Sequence, residues 1–266
     1  MCGRYAAFRE AQDLADAFDI DPDDVAEDAA LLPPSWNVAP TDPVRVVVER
    51  APRASEGAAE GEEPSDDVVR SLRLARWGLV PGWAKDPSVG SRMINARVES
   101  LVDKPAFRKA AAARRCLVPA EGYFEWRKAP EGSPAKTPKQ PFWIHAADGS
   151  PLAFAGLYEF WRDRSLPDDD PHRWLVTTTI ITGGAPTDDP VLAEIHDRRP
   201  VVLAPERWAA WLDPTRTDAA DAVGLLHDPA PRLVATPVST AVNSVRTNGP
   251  ELIERLPDAE DEPQPG

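Results

Sequence analysis

The chain has 266 residues, 42% of them hydrophobic, with nine Trp, enough apolar material for a sizeable core in one large domain or two small ones. Its net charge of −14 and pI near 4.8 argue against a protein that binds nucleic acid by charge alone. Two cysteines are too few for a disulfide framework, no apolar run approaches the ~20 residues of a membrane span, and the start lacks a signal-peptide core. A cytoplasmic location is expected. Asp is abundant and Lys sparse beside Arg, a bias like that of proteins from salt-in halophiles.

The chain opens Met1-Cys2-Gly3-Arg4. Loss of Met1, expected before so small a residue, would give Cys2 a free α-amine and a thiol on adjacent carbons. Such a 1,2-aminothiol condenses with an aldehyde to a Schiff base, and the thiol then closes a five-membered thiazolidine. Unperturbed, the amine titrates at about 7.7–8.0 and the thiol at about 8.5, so both have nucleophilic fractions near neutral pH. The plainer reading is a small buried residue at a tied-down terminus.

Phe8 to Phe18 has the spacing of an amphipathic helix, followed by an acidic run from Asp19 to Asp28. Leu31 to Asp42 is proline-rich and predicts an ordered loop; Val44 to Glu49 is β-branched and predicts a strand. An exposed insertion is expected near 50–67, where little can be buried. Strand character returns at Val68 to Leu79, and Pro105 to Arg115 predicts a helix. Cys116 to Trp126 reads as a strand broken by a turn. Past a Pro/Lys-rich loop near 128–140 come strands at Phe142–His145, Leu152–Trp161 and Trp174–Ile181, with an insertion near 163–171. Asp189 to His196 predicts a short helix capped by Asp189, with Pro190 in its first turn. A strand at Val201–Leu203, helices at Pro205–Leu212 and Asp218–His227, and a strand at Arg232–Val238 complete the order. Residues 256–266 predict a disordered acidic tail. Many short strands with helices between them give an α+β class: one compact domain over 1–255, with a curved, barrel-like, mostly antiparallel sheet flanked by helices.

Of the four His, His145 lies in a strand pattern, and His172 and His227 have polar loop or helix-end settings. These three read as structural. His196 differs, lying in the charged stretch Glu194-Ile195-His196-Asp197-Arg198-Arg199-Pro200, a setting suited to proton transfer. No spacing matches a metal site, a phosphate loop or a nucleophile elbow, so neither metal nor cofactor is expected. Glu121 and Glu125 stand four apart and share a strand face only if no bulge intervenes. Glu125, between Phe124 and Trp126, has an apolar setting that would raise its pKa and suit a general acid.

Six segments in order, Met1–Tyr5, Trp36–Thr41, Trp77–Asp86, Asn95–Glu99 (NARVE), Arg115–Trp126 and Ile195–Pro200, strongly resemble the SRAP (SOS-response-associated peptidase) family, from Cys2 to about residue 245. The resemblance implies a compact α+β fold around a barrel-like sheet and a protein that crosslinks covalently to abasic sites in single-stranded DNA, with single-strand/duplex junctions as one setting. It implies Cys2 as the nucleophile, Asn95 orienting the N-terminus or sugar, and Glu125 and His196 as catalytic acid–base groups. By the same resemblance Arg97 and Arg198 would meet DNA phosphates. Asn37, Pro40, Trp77, Trp83 and Trp126 complete the expected DNA-binding set, with one or two of the Trp stacking on bases. Where the family usually has Met, this chain has Arg199. A monomer is expected, without membrane contact. Two rival readings remain: a cysteine peptidase, autoproteolytic, using Cys2 and His196, and a non-catalytic single-strand DNA-binding module.

Overall fold

The computed structural model describes residues 2–50, 68–128, 132, 134, 137–184, 190–227 and 231–257. The insertion expected at 50–67 lies outside them beyond Arg50, as do Asp189, part of the 128–140 loop and the tail from residue 258 onward.

The β-branched and aromatic runs form twelve strands among the described residues: β1 (Tyr5–Ala7), β2 (Ser35–Val38), β3 (Pro43–Arg50), β4 (Val69–Trp77), β5 (Asn95–Arg97), β6 (Arg115–Ala120), β7 (Gly122–Arg127), β8 (Gln140–Ala146), β9 (Leu152–Arg162), β10 (Trp174–Gly184), β11 (Arg198–Pro200) and β12 (Leu233–Pro237). Six short helices accompany them: α1 (Ala11–Phe18), α2 (Glu27–Ala30), α3 (Arg108–Ala113), α4 (Pro190–Ile195), α5 (Pro205–Leu212) and α6 (Ala219–Gly224). None is long and apolar enough to cross a membrane.

Strands β4, β3, β6 and β9 are antiparallel neighbours, and β10 pairs with β9 on one side and, in parallel, with β4 on the other. That closes a five-stranded ring, the expected barrel-like and mostly antiparallel sheet of an α+β fold. A second sheet runs β12–β8–β7–β1–β2. Side chains alternate along each strand, so the barrel sheet feeds two cores. Val47, Leu72, Leu117 and Ile181 meet Leu14, Phe18, Trp208 and Trp211 of the helices. Val44, Val46, Val48, Trp77, Phe154 and Ile180 meet Cys2, Tyr5, Tyr123 and Ile144 on the other face.

The stretch expected as a loop at 31–42 contains a strand. β2 pairs with β1, and its proline-free Ser35–Val38 supplies the ladder donors that Pro33, Pro34 and Pro40 lack. The helix expected from Pro105 begins only at Arg108, after a turn. The strand expected at Val201–Leu203 lies instead at Arg198–Pro200, while Val202 makes an isolated bridge to Phe154.

One junction positions the site. β4 turns away from β10 at Gly78, whose φ of +126° suits glycine and whose missing Cβ admits the Gly90 carbonyl. Beyond that point β10 takes β5 as its parallel neighbour (Ile180 beside Asn95, Thr182 beside Arg97) and β11 on its other side. Asn95, Arg97 and Arg198 therefore flank one stretch of β10.

Candidate active site

Cys2 is completely buried, among Tyr5, Trp77 and Ile180. Its backbone carbonyl accepts a 2.6 Å hydrogen bond from Asn95 Nδ2, which ties the start of the chain to β5. The thiol donates to the Arg4 carbonyl at 3.8 Å. Burial first, and the nearby Glu125 carboxylate second, push the thiol well above its ordinary range, more than the Arg4 bond lowers it. The expectation of a usable thiolate fraction at neutral pH is therefore corrected. In this closed arrangement the thiol holds its proton, because burial removes the water that would stabilise the anion and outweighs the pull of the chain's α-amino group.

Glu125 lies on β7, only 3% exposed. Desolvation lifts its pKa to about 7, where both protonation states are populated at neutral pH. The expected perturbation of this carboxyl is present, and its cause is burial. Glu121 stands at the bend between β6 and β7 and belongs elsewhere: Oε2 accepts from the Phe8 N–H at 2.7 Å and Oε1 faces Arg9 Nε at 3.2 Å. The break in the strand separates the two carboxyls.

His196 follows α4, a helix anchored by Leu192 and Ile195, which sit three apart and enter the Cys2 core together. The ring lies with Nε2 4.0 Å from Glu125 Oε2. Its Nδ1 accepts from the Arg198 N–H at 3.0 Å and stands 2.9 Å from Asp197 Oδ1. Desolvation is the largest cause lowering its pKa, with Asp197 pulling the other way, so the ring tends to be neutral at physiological pH. A neutral ring that accepts at Nδ1 carries its proton on Nε2, toward Glu125. Cys2, Asn95, Glu125 and His196, four residues from widely separated segments, thus form one cluster. His145 lies outside it, stacked on Trp143.

The expected DNA-binding residues divide. Arg97 is exposed on the same face of β5 as Asn95; its charge acts on Glu99, and its guanidinium makes no hydrogen bond or ion pair among the described residues. Arg198 is engaged: both its terminal nitrogens reach Glu99 at 3.0 Å, and one also donates to the Thr182 carbonyl at 2.7 Å. Arg199, one residue on, faces the opposite side of the sheet with Val98 and Val201. Asn37 is buried and saturated, accepting from Arg4 at 2.7 Å and donating to the carbonyls of Ser244 and Thr247 at 2.9 and 2.7 Å. It is a clasp between the chain start and residues 244–247. Pro40 is half-buried in the turn after β2. Trp83 is 65% exposed, and Trp126 is half-buried with Nε1 donating to Asn243 Oδ1 at 2.7 Å. Trp77 is a correction: it has no exposed surface, donates from Nε1 to the Ile94 carbonyl and packs edge-on against Tyr5. With its faces filled by the core, it cannot stack on a base.

Three participants were not singled out from sequence: Arg4, Glu99 and Asp197. All lie inside the quoted motifs, but only pairing in space gives them partners. No group of three His, Cys, Asp or Glu among the described residues is arranged to hold a metal ion.

A family model described as SOS response associated peptidase (SRAP) matches residues 1–245. The abasic site processing protein YoqW of Bacillus subtilis is 37% identical over 260 residues, which cover 96% of this chain and 99% of its own. The abasic site processing protein YedK of Escherichia coli is 31% identical over 259 residues, again 96% and 99% of the two chains. A crystal structure of a Bacteroides thetaiotaomicron protein matches 96% of this chain and 100% of its own with a TM-score of 0.71 at 24% identity, a likeness of fold. Motifs, architecture and relatives agree: the chain belongs to the SOS response associated peptidase (SRAP) family.

Proposed function

We propose that the protein processes abasic sites in single-stranded DNA, joining the ring-opened sugar to Cys2 as a thiazolidine once Met1 has been removed. The observation that carries this reading is the grip of Asn95 on the Cys2 carbonyl, inside a buried cluster that also holds a carboxyl titrating at about 7. Such a site fixes the backbone of residue 2, which is where an α-amine would have to be held. The names of the relatives YoqW and YedK as abasic site processing proteins support it.

The neutral amine of Cys2 attacks the sugar aldehyde, forming a C–N bond and a carbinolamine. Protonated Glu125, or His196 through Nε2, gives the hydroxyl its proton; water leaves and an iminium remains. The buried thiol then passes its proton to the carboxylate just generated as sulfur bonds to the iminium carbon, and the nitrogen regains its electron pair. One water is released overall. A carboxyl near pKa 7 is suited to both transfers, and positioned acid–base help is worth about 10²–10⁴-fold. The thiol's raised pKa favours this order, with nitrogen first. Loss of a proton beside the iminium would eliminate the 3′ phosphate, so slow lyase turnover accompanies the reading. Arg97 holds a phosphate and Trp83 stacks on a base. A cysteine peptidase is less well supported, since the thiol donates to a carbonyl and is pushed away from the thiolate form.

The test is incubation of mature protein with a single-stranded oligonucleotide bearing one abasic site, followed by denaturing electrophoresis. A shifted, stable band is expected from wild type and none from Cys2→Ala. A protein retaining Met1, identified by intact mass, should behave like the variant. Equal crosslinking by Cys2→Ala would refute the mechanism, and DNA retention without any covalent band would leave the plain binding module.

A further inference from the structure

Glu99 closes the NARVE motif, yet nothing in the proposed chemistry uses it. Its two oxygens hold the Arg198 guanidinium end-on, one on each terminal nitrogen at 3.0 Å, the two-point geometry that fixes orientation as well as distance. The same guanidinium is pinned to β10 by the Thr182 carbonyl at 2.7 Å, and Arg198 pairs with Gly184 in the ladder. With the side chain held at these points, the Arg198 backbone N–H is aimed at His196 Nδ1, 3.0 Å away.

Two groups compete for that nitrogen. The Arg198 N–H requires a lone pair on Nδ1, whereas Asp197 Oδ1, at 2.9 Å, favours a proton there. We propose that Glu99 is a positioning residue that acts through Arg198 to keep the His196 ring proton on Nε2, facing Glu125. The activity readout rests on the abasic-site reading; the ring readout does not.

Four charges bear on the ring besides the brace: Glu125, Asp197, Lys128 and the α-amino terminus. None changes when Glu99 is replaced, and this gives the test a sign. Removing the negative charge of Glu99 would, by field alone, lower the His196 pKa. Releasing the ring to Asp197 would raise it.

The experiment follows the ring nitrogens by 15N NMR against pH in the full chain, with His196→Gln assigning its signals among the four His. Wild type should show the Nε2–H form. Glu99→Ala should gain the Nδ1–H form and titrate about half a unit or more higher. Its crosslinking at saturating abasic DNA should slow about ten-fold or more at mildly acidic pH. Glu99→Asp, which keeps the carboxylate, should recover part of both effects. Glu99→Gln serves the same comparison if the alanine variant does not fold. An unchanged tautomer, or a titration that moves down, overturns the proposal, even if stability falls. Should wild type make no crosslink at all, the abasic-site reading fails while the NMR result still decides the role of Glu99.

Discussion

Replacing Glu125 by Gln tests the site through stability as well as activity. The carboxyl is buried, and its pKa rises from an ordinary 4.5 to about 7 because desolvation penalises the anion. Below about pH 4.5 it is protonated whether the chain is folded or not, and burial costs nothing in ionisation. Between 4.5 and about 7 the unfolded chain gives up the proton while the folded chain keeps it, so stability falls as pH rises. Above that range the loss is complete. At about 1.4 kcal/mol per pKa unit, this interval corresponds to about 3 kcal/mol. Glutamine has the same shape and does not ionise, so Glu125→Gln should match wild type near pH 4.5 and exceed it by up to about 3 kcal/mol at pH 8. Urea unfolding at several pH values, with equal m-values, measures the difference directly. The same variant should crosslink abasic DNA about 10²–10⁴-fold more slowly, since glutamine cannot donate and then accept the proton. A stability difference that does not grow between pH 5 and pH 8 would refute the account of Glu125 as a carboxyl held protonated by burial.

Three further substitutions test the placement of single side chains. Trp83→Ala should weaken binding of intact single-stranded DNA by about 1–3 kcal/mol, read by fluorescence anisotropy, with little change in melting temperature. Trp77→Ala should cost about 3–5 kcal/mol of stability, because the ring is wholly buried; a pure binding defect in that variant would contradict its placement in the core. Asn37→Ala removes the acceptor of Arg4 and both donors to residues 244 and 247. It should cost about 1–3 kcal/mol, and limited proteolysis should cut the 240–253 stretch sooner than in wild type.

The architecture was largely legible before any coordinates. The β-branched run Val44–Glu49 and the apolar, aromatic-rich run Leu152–Trp161 read as strands, and Pro205–Leu212 carries the helix signal of a proline in its first turn. Where the expectation erred, tertiary contacts overrode local signals. Proline on either side of Ser35–Val38 reads as a loop, but β1 offers that segment a partner and the clasp of Asn37 holds it there. Glu121 and Glu125 look equivalent by spacing, and only the bend between β6 and β7 sends them to different places.

The sequence by itself determined the kinds of groups available: a cysteine directly behind Met1, a glutamate among aromatics, a histidine in a charged stretch and an asparagine in NARVE. Their chemistry follows from residue type and near neighbours, which a sequence displays. Only the tertiary structure decided which of them meet. It shut the Cys2 thiol away from water, engaged Arg198 with Glu99 while leaving the Arg97 guanidinium exposed, and put Trp77 inside and Trp83 outside. Burial and partnership depend on residues far apart in the chain, and the order of the letters does not state those distances.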